Sequence, residues 1–120
     1  MNMRTLVLGV SLNPNKYSNL AVQKLVNYNI ETVAFGLKSG EVAGVVVNTE
    51  LLDFNDIHTV TLYLNPKNQQ GYYDYIVSLK PKRVIFNPGT ENPELYKILK
   101  ENDIKFEAAC TLVLLSTNQY

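Results

Sequence analysis

The sequence predicts an α/β domain with three layers, Rossmann-like, built on a mainly parallel sheet. Two patterns carry that prediction. Short apolar runs alternate along the chain with segments whose apolar residues recur every three or four positions. The turns after the apolar runs are rich in Gly, Asn and Pro, and all five prolines fall at element junctions. With 120 residues and no internal repeat, low-complexity tract or linker, residues 1–120 form one domain.

The first strand is the run Thr5 to Leu8, closed by Gly9. A turn rich in Asn, Ser and Pro leads to a helix that opens at Ser18 or Asn19. Ala21, Val22, Leu25, Val26 and Tyr28 form its apolar stripe, and Asn29 is its left-handed C-cap. A second strand runs from Ile30 to Phe35 and ends at Gly36. The β-branched run Val42 to Val47 reads as a short third strand, and Thr49 to Phe54 as a single helical turn. Ile57 to Leu64 is the next strand. Asn65-Pro66 caps a helix with Tyr72, Tyr73, Ile76, Val77 and Leu79 on its buried face, stopped by Lys80-Pro81. Arg83 to Phe86 is a strand, and Asn92-Pro93 opens a helix with the stripe Leu95, Ile98, Leu99. Ile104 to Ala108 is the last parallel strand. Thr111 to Leu115 is apolar enough to be a buried helical turn or a strand.

In a parallel sheet every strand's C-terminal end lies on one edge, and ligands bind there at the switch in strand order. That edge gathers Gly9-Val10-Ser11, Phe35-Gly36-Leu37-Lys38, Tyr63-Leu64-Asn65-Pro66 and Asn87-Pro88-Gly89. Strand, glycine turn and helix N-terminus make an anion site, because first-turn amides lack intrahelical acceptors. Gly9 would admit a phosphate close to the backbone, Ser11 and Ser18 offer hydroxyls, and Lys16 offers a cation. The dinucleotide fingerprint G-x-G-x-x-G would need glycine at Ser11, so the turn is phosphate-directed without specifying NAD.

Composition narrows the partners. Eleven basic and eleven acidic residues balance to zero net charge, which argues against nucleic acid or an anionic membrane as a dedicated partner. No apolar stretch is long enough to span a bilayer, and the N-terminus lacks a signal-peptide core. The single cysteine, Cys110, forms no internal disulfide and provides no metal cluster. A cytoplasmic protein without a structural metal is the expectation.

The segments Gly9-Val10-Ser11 with Asn13-Pro14, TVTLYLNP (Thr59 to Pro66), RVIFNPGTENPE (Arg83 to Glu94) and ACTLVLLST (Ala109 to Thr117) resemble a small stand-alone CoA-binding domain. The same Rossmann-like module is found at the N-terminus of the succinyl-CoA synthetase alpha subunit. The resemblance covers nearly the whole chain. Val10 stands where relatives usually carry Ala, Lys16 where Arg is common, and Asn118 where Gly is common. Lysine keeps arginine's charge but not its bidentate fork. The synthetase's catalytic histidine lies beyond this module, so the resemblance implies binding and not catalysis.

On that resemblance the ligand is coenzyme A or an acyl-CoA, with NADP as the alternative. The diphosphate would lie on Gly9, Val10 and Ser11, with Asn13, Lys16 and Ser18 around it. Phe35, Gly36, Tyr63, Leu64, Asn65 and Pro66 would flank the adenosine and pantetheine. Lys38 bears on ligand choice: NAD sites place a carboxylate after the second strand, whereas a cation there suits a phosphorylated ribose. A solvated surface lysine is the plain alternative. Tyr63 could line the pocket or be a half-buried strand aromatic. Asn87, Pro88 and Gly89 could meet the pantetheine arm or merely form a tight turn. His58, the one histidine, falls near its strand's start, away from the pocket, and is rejected as catalytic. Cys110 reads as a buried, unreactive thiol, and Glu91 and Glu94 as complements to a helix dipole. The reading is a non-catalytic binding or regulatory module. Its rivals are an NADP-dependent oxidoreductase or other nucleotide-binding enzyme domain, and an interaction module with a vestigial pocket. A homodimer or a partner protein is left open.

Overall fold

In the computed structural model of the chain, residues 3–120 are described. Seven strands form one sheet: β1 (Thr5–Leu8), β2 (Thr32–Phe35), β3 (Gly40–Val42), β4 (Val45–Asn48), β5 (Thr59–Leu62), β6 (Arg83–Phe86) and β7 (Lys105–Ala108). Their spatial order is β3-β4-β2-β1-β5-β6-β7. All neighbours pair in parallel except β3 and β4, which form an antiparallel hairpin. Without β3, the remaining six strands follow the order 3-2-1-4-5-6 of a doubly wound dinucleotide-type sheet. The order switches direction at β1, so the crevice between the exits of β2, β1 and β5 is where this topology makes room for a ligand.

Strand side chains alternate between two apolar layers. On one face Leu6, Leu8, Val60, Leu62, Val84 and Phe86 pack against Ile76, Leu79, Leu95 and Leu99. These last come from α3 (Tyr73–Ser78), the residue capping it, and α4 (Pro93–Glu101). On the other face Val7, Ala34 and Val47 meet Val22, Leu25 and Leu115 of α1 (Tyr17–Asn27) and α5 (Thr111–Ser116). Burying one such aliphatic side chain is worth about 1.5–3 kcal/mol, so the two layers hold the helices to the sheet.

Three expectations are corrected. The run Val42 to Val47 is no single strand: it folds back on itself, with Val42 opposite Val45. Ala43 (φ 50°) and Gly44 (φ 83°) both adopt positive φ, the geometry of a two-residue hairpin turn that matches strand twist. Thr49 to Phe54 forms no helical turn. It is pinned from outside by Tyr75, whose hydroxyl donates to the Leu52 carbonyl (2.6 Å). The helix expected after Asn65-Pro66 is also interrupted, as α2 (Pro66–Gln69), a 3₁₀ turn Gln70–Tyr72, and α3. Gly71 has low helix propensity, and the buried Gln69 side chain is drawn instead to the carbonyls of Leu64 and Thr90, both at 2.8 Å.

The ends of the helices follow their predicted chemistry more closely. Asn29 (φ 59°) is the left-handed residue that closes α1, one position past the capping Tyr28, with the Ile30 amide returning to the Leu25 carbonyl at 3.0 Å. Asn65 and Asn92 cap α2 and α4 with their side-chain oxygens. Asn118 (φ 56°) takes the left-handed position just past Thr117, the residue capping α5, a conformation that asparagine adopts more readily than most residues. The undecided stretch from Thr111 is a helix.

Candidate functional site

Two clefts open at the C-terminal edge of the sheet and meet at Gly9 and Ser11. The first, about 400 Å³, is bounded by Gly9, Val10, Ser11, Leu12 and Asn13 on one side. Phe35, Gly36, Leu37 and Lys38 after β2, and Leu64 after β5, close the other side. The second, about 360 Å³, lies between the start of α1 (Lys16, Tyr17, Ser18) and the exits of β5 and β6 (Tyr63, Asn65, Pro88, Gly89, Thr90). The walls of both are mainly apolar, but the second carries more polar side chains, among them Ser18, Asn65 and Thr90. Neither has Asp, Glu or His among its lining residues.

Of the expected site residues, Gly9, Val10, Ser11, Asn13, Phe35, Gly36, Lys38 and Leu64 line the first cleft, and Lys16, Ser18, Tyr63, Asn65, Pro88 and Gly89 the second. Pro66 and Asn87 line neither. Asn87 is buried, and its amide group is spent on the interior: Nδ2 donates to Thr61 Oγ1 (2.7 Å) and the Leu62 carbonyl (2.8 Å), and Oδ1 accepts from the Thr111 amide (2.9 Å). It thereby ties β5, β6 and α5 together and sets the Pro88-Gly89 turn. Pro66 is the first residue of α2.

The glycines serve chain approach. Gly9 has φ +103°, and a β-carbon on it would stand 2.9 Å from Leu64 Cδ2 and 3.2 Å from the Tyr63 carbonyl carbon. The close approach it permits is between the turn and the exit of β5. A β-carbon on Gly36 would stand 2.4 Å from the Val10 carbonyl oxygen, so Gly36 lets the β1 turn rest on the end of β2. The turn's own amides are engaged. Gly9 and Val10 both donate to the Phe35 carbonyl at 2.9 Å, and Ser11 donates to Ser18 Oγ at 2.9 Å. The Ser11 hydroxyl accepts from the Asn13 amide at 3.1 Å. By contrast α1, unlike α2 and α4, has no side-chain cap, and unlike α4 it has no acidic residue in its first turn. Its first residues, Tyr17 and Ser18, line the second cleft, and no side chain caps their amides.

Lys16 and Lys38 are exposed and make no ion pair among the described residues. The Tyr63 hydroxyl is turned into the protein, beside the Thr61–Thr111 hydroxyl pair (2.7 Å), and has no well-formed hydrogen bond. Burial, then the neighbouring Cys110 thiol, pushes its pKa well above the ordinary phenol value. His58 lies at the opposite edge, its Nδ1 2.8 Å from Thr59 Oγ1. Burial and the charges of Arg83 and Lys82 lower its pKa. The Glu91 carboxylate accepts from the Gly89 amide (2.8 Å), bracing the turn rather than the start of α4. Leu12, Tyr17 and Thr90 are lining residues that sequence reasoning passed over, and Leu37, placed at that edge, was given no role. Leu37 is 82% exposed and Tyr17 72%. Large apolar or aromatic residues in loops beside a predicted ligand edge were the available signal.

Sheet order, paired clefts at the switch point and an uncapped helix start define a Rossmann-like domain with a ligand crevice at the usual edge. The CoA-binding-domain family profile matches residues 3–116, and the chain belongs to that family. The chain is similar along its whole length to a crystal structure described as an uncharacterized protein. Identity is 48%, the TM-score is 0.96, and the match covers 100% of this chain and 99% of that one. A cell-free-expressed protein from Thermus thermophilus shares the fold at 20% identity (TM-score 0.87; coverage 99% and 91%). So does a hypothetical protein from Pyrococcus horikoshii OT3 at 23% identity (TM-score 0.86; coverage 98% and 84%). No curated protein matches the chain.

Proposed function

We propose that this protein binds coenzyme A or an acyl-CoA in the two joined clefts, as a binding or regulatory module rather than an enzyme. The observation that carries the reading is the pairing of an apolar cleft ending at Lys38 with a second cleft at the uncapped start of α1, where Lys16, Ser18, Asn65 and Thr90 supply polar groups. The apolar cleft suits the adenosine, with Lys38 beside its phosphorylated ribose. The diphosphate falls to Lys16 and the Tyr17 and Ser18 amides, because the amides of Gly9, Val10 and Ser11 are already bonded within the protein. The pantetheine arm would then run past Tyr63, Asn65, Pro88 and Gly89. The lining offers no carboxylate or imidazole for proton transfer, which favours binding over turnover.

Lys38 would serve a 2′-phosphate as readily as a 3′-phosphate, so NADP is the second reading. A thermal-shift panel of CoA, acetyl-CoA, dephospho-CoA, NAD, NADP, ATP and ADP decides between them. Ligand at a hundred times its dissociation constant stabilises the native state by about 2.7 kcal/mol. The largest shift should come from the CoA compounds. A larger shift with NADP would move the assignment to the oxidoreductase class, and no shift with any ligand would favour an interaction module with a vestigial pocket.

A further inference from the structure

The sheet is open along β7. The Ala109 amide donates to the Phe86 carbonyl (3.0 Å), and the parallel register places Phe86 beside Ala108. Main-chain groups of residues 105, 107 and 109 therefore face β6, while those of Phe106 and Ala108 face outward, with no partner among the described residues. The strand contains neither proline nor a positive φ that would twist it away from pairing. Lys105 and Glu107 are exposed on one face, and on the other Phe106 stacks on Tyr96 with centroids 4.5 Å apart.

We propose that two copies of this protein associate edge to edge, β7 against β7, antiparallel about a two-fold axis at Phe106. Charge selects that register. It sets Lys105 of each copy directly opposite Glu107 of the other, so the favourable pair occurs twice. It also lets the outward amide and carbonyl of Phe106 bond to those of its own copy. An axis at Glu107 would instead oppose two carboxylates. The other edge of the sheet is unsuited to self-pairing: β3 has three residues, and its one charge, Glu41, lies at the centre, facing itself. Pairing β3 of one copy with β7 of the next would leave both outer edges open and build a filament, whereas β7 on β7 closes.

The contact is short. The Ile104 amide is already held by the Leu99 carbonyl (2.9 Å), which limits how far the ladder can extend. So small an interface predicts a weak dimer, formed as concentration rises through the micromolar range. The clefts lie at the exits of β2, β1, β5 and β6, and no β7 residue lines either, so both sites stay open in the dimer.

Sedimentation velocity of the full chain, from micromolar to millimolar concentration, provides the test, with circular dichroism confirming that each variant is folded. Lys105→Glu and Glu107→Lys should each raise the dimer dissociation constant by about tenfold or more, since each turns two attractive pairs into repulsive ones. The double reversal restores both pairs and should return the constant close to that of the parent. A chain that stays monomeric throughout overturns the proposal. So does a dimer indifferent to the single reversals, or a double variant no better than the single ones.

Discussion

A β-carbon on Gly36 would stand 2.4 Å from the carbonyl oxygen of Val10, a separation no side chain can accept. The exits of β1 and β2 are thus locked together by a backbone contact that only glycine at this position allows. Gly36→Ala should force the β1 turn off β2 and deform the first cleft, with a loss of about 2–4 kcal/mol in stability. Urea unfolding measures the loss, and calorimetry with CoA should show weakened binding even where the variant is fully folded. An alanine variant with parental stability and affinity would contradict this account.

Gly9 carries a related prediction. With φ +103° and Leu64 and Tyr63 packed against it, Gly9→Val should destabilise the fold itself, by about 2 kcal/mol or more, beyond any effect on ligand. Loss of CoA binding in a protein as stable as the parent would instead mean that the position meets the phosphate directly.

The two lysines separate the ends of the ligand. Lys38→Ala should weaken CoA by roughly tenfold to a hundredfold and dephospho-CoA little, because a charged hydrogen bond contributes about 1.5–3 kcal/mol. Lys16→Ala should weaken both alike. Equal losses for Lys38→Ala on the two ligands would remove its assignment to the 3′-phosphate.

Tyr63 tests whether its hydroxyl belongs to the site or to the interior. Its hydroxyl is buried without a well-formed bond, so Tyr63→Phe should be neutral or stabilising and leave CoA affinity unchanged. The pH dependence follows from the raised pKa. The folded state favours the protonated phenol, so stability is full below the unfolded pKa near 10 and falls as pH rises above it. The phenylalanine variant should show a shallower alkaline decline. A large loss of CoA affinity would place the hydroxyl in the site.

Asn87 should behave as a strut. Asn87→Ala leaves the Thr111 amide and Leu62 carbonyl without their partner, and should cost about 1–3 kcal/mol in stability. Its melting temperature should fall by several degrees, with any loss of CoA affinity following from the displaced Pro88-Gly89 turn.

The alternation of apolar runs and helical stripes was enough to read the parallel sheet, its layers and the edge at which the clefts open. Those features depend on local period and turn chemistry: Gly9 after Leu8, Asn-Pro before α2 and α4, and Asn29 closing α1. The hairpin at Ala43-Gly44 was also locally encoded, but one glycine within a β-branched run is a weak signal. What the sequence could not supply was the use each polar group makes of its neighbours. Asn87 and Tyr63 sit in segments that look ligand-directed, yet their polar atoms are buried beside Thr61 and Thr111, the latter 24 residues beyond Asn87. The amides of Gly9 and Val10 are consumed by Phe35, from another strand. Sequence period fixes which face a side chain takes, because that depends on a few consecutive dihedrals. Whether a donor is free or satisfied depends on which distant segment the fold brings to it, and only the tertiary structure decides that.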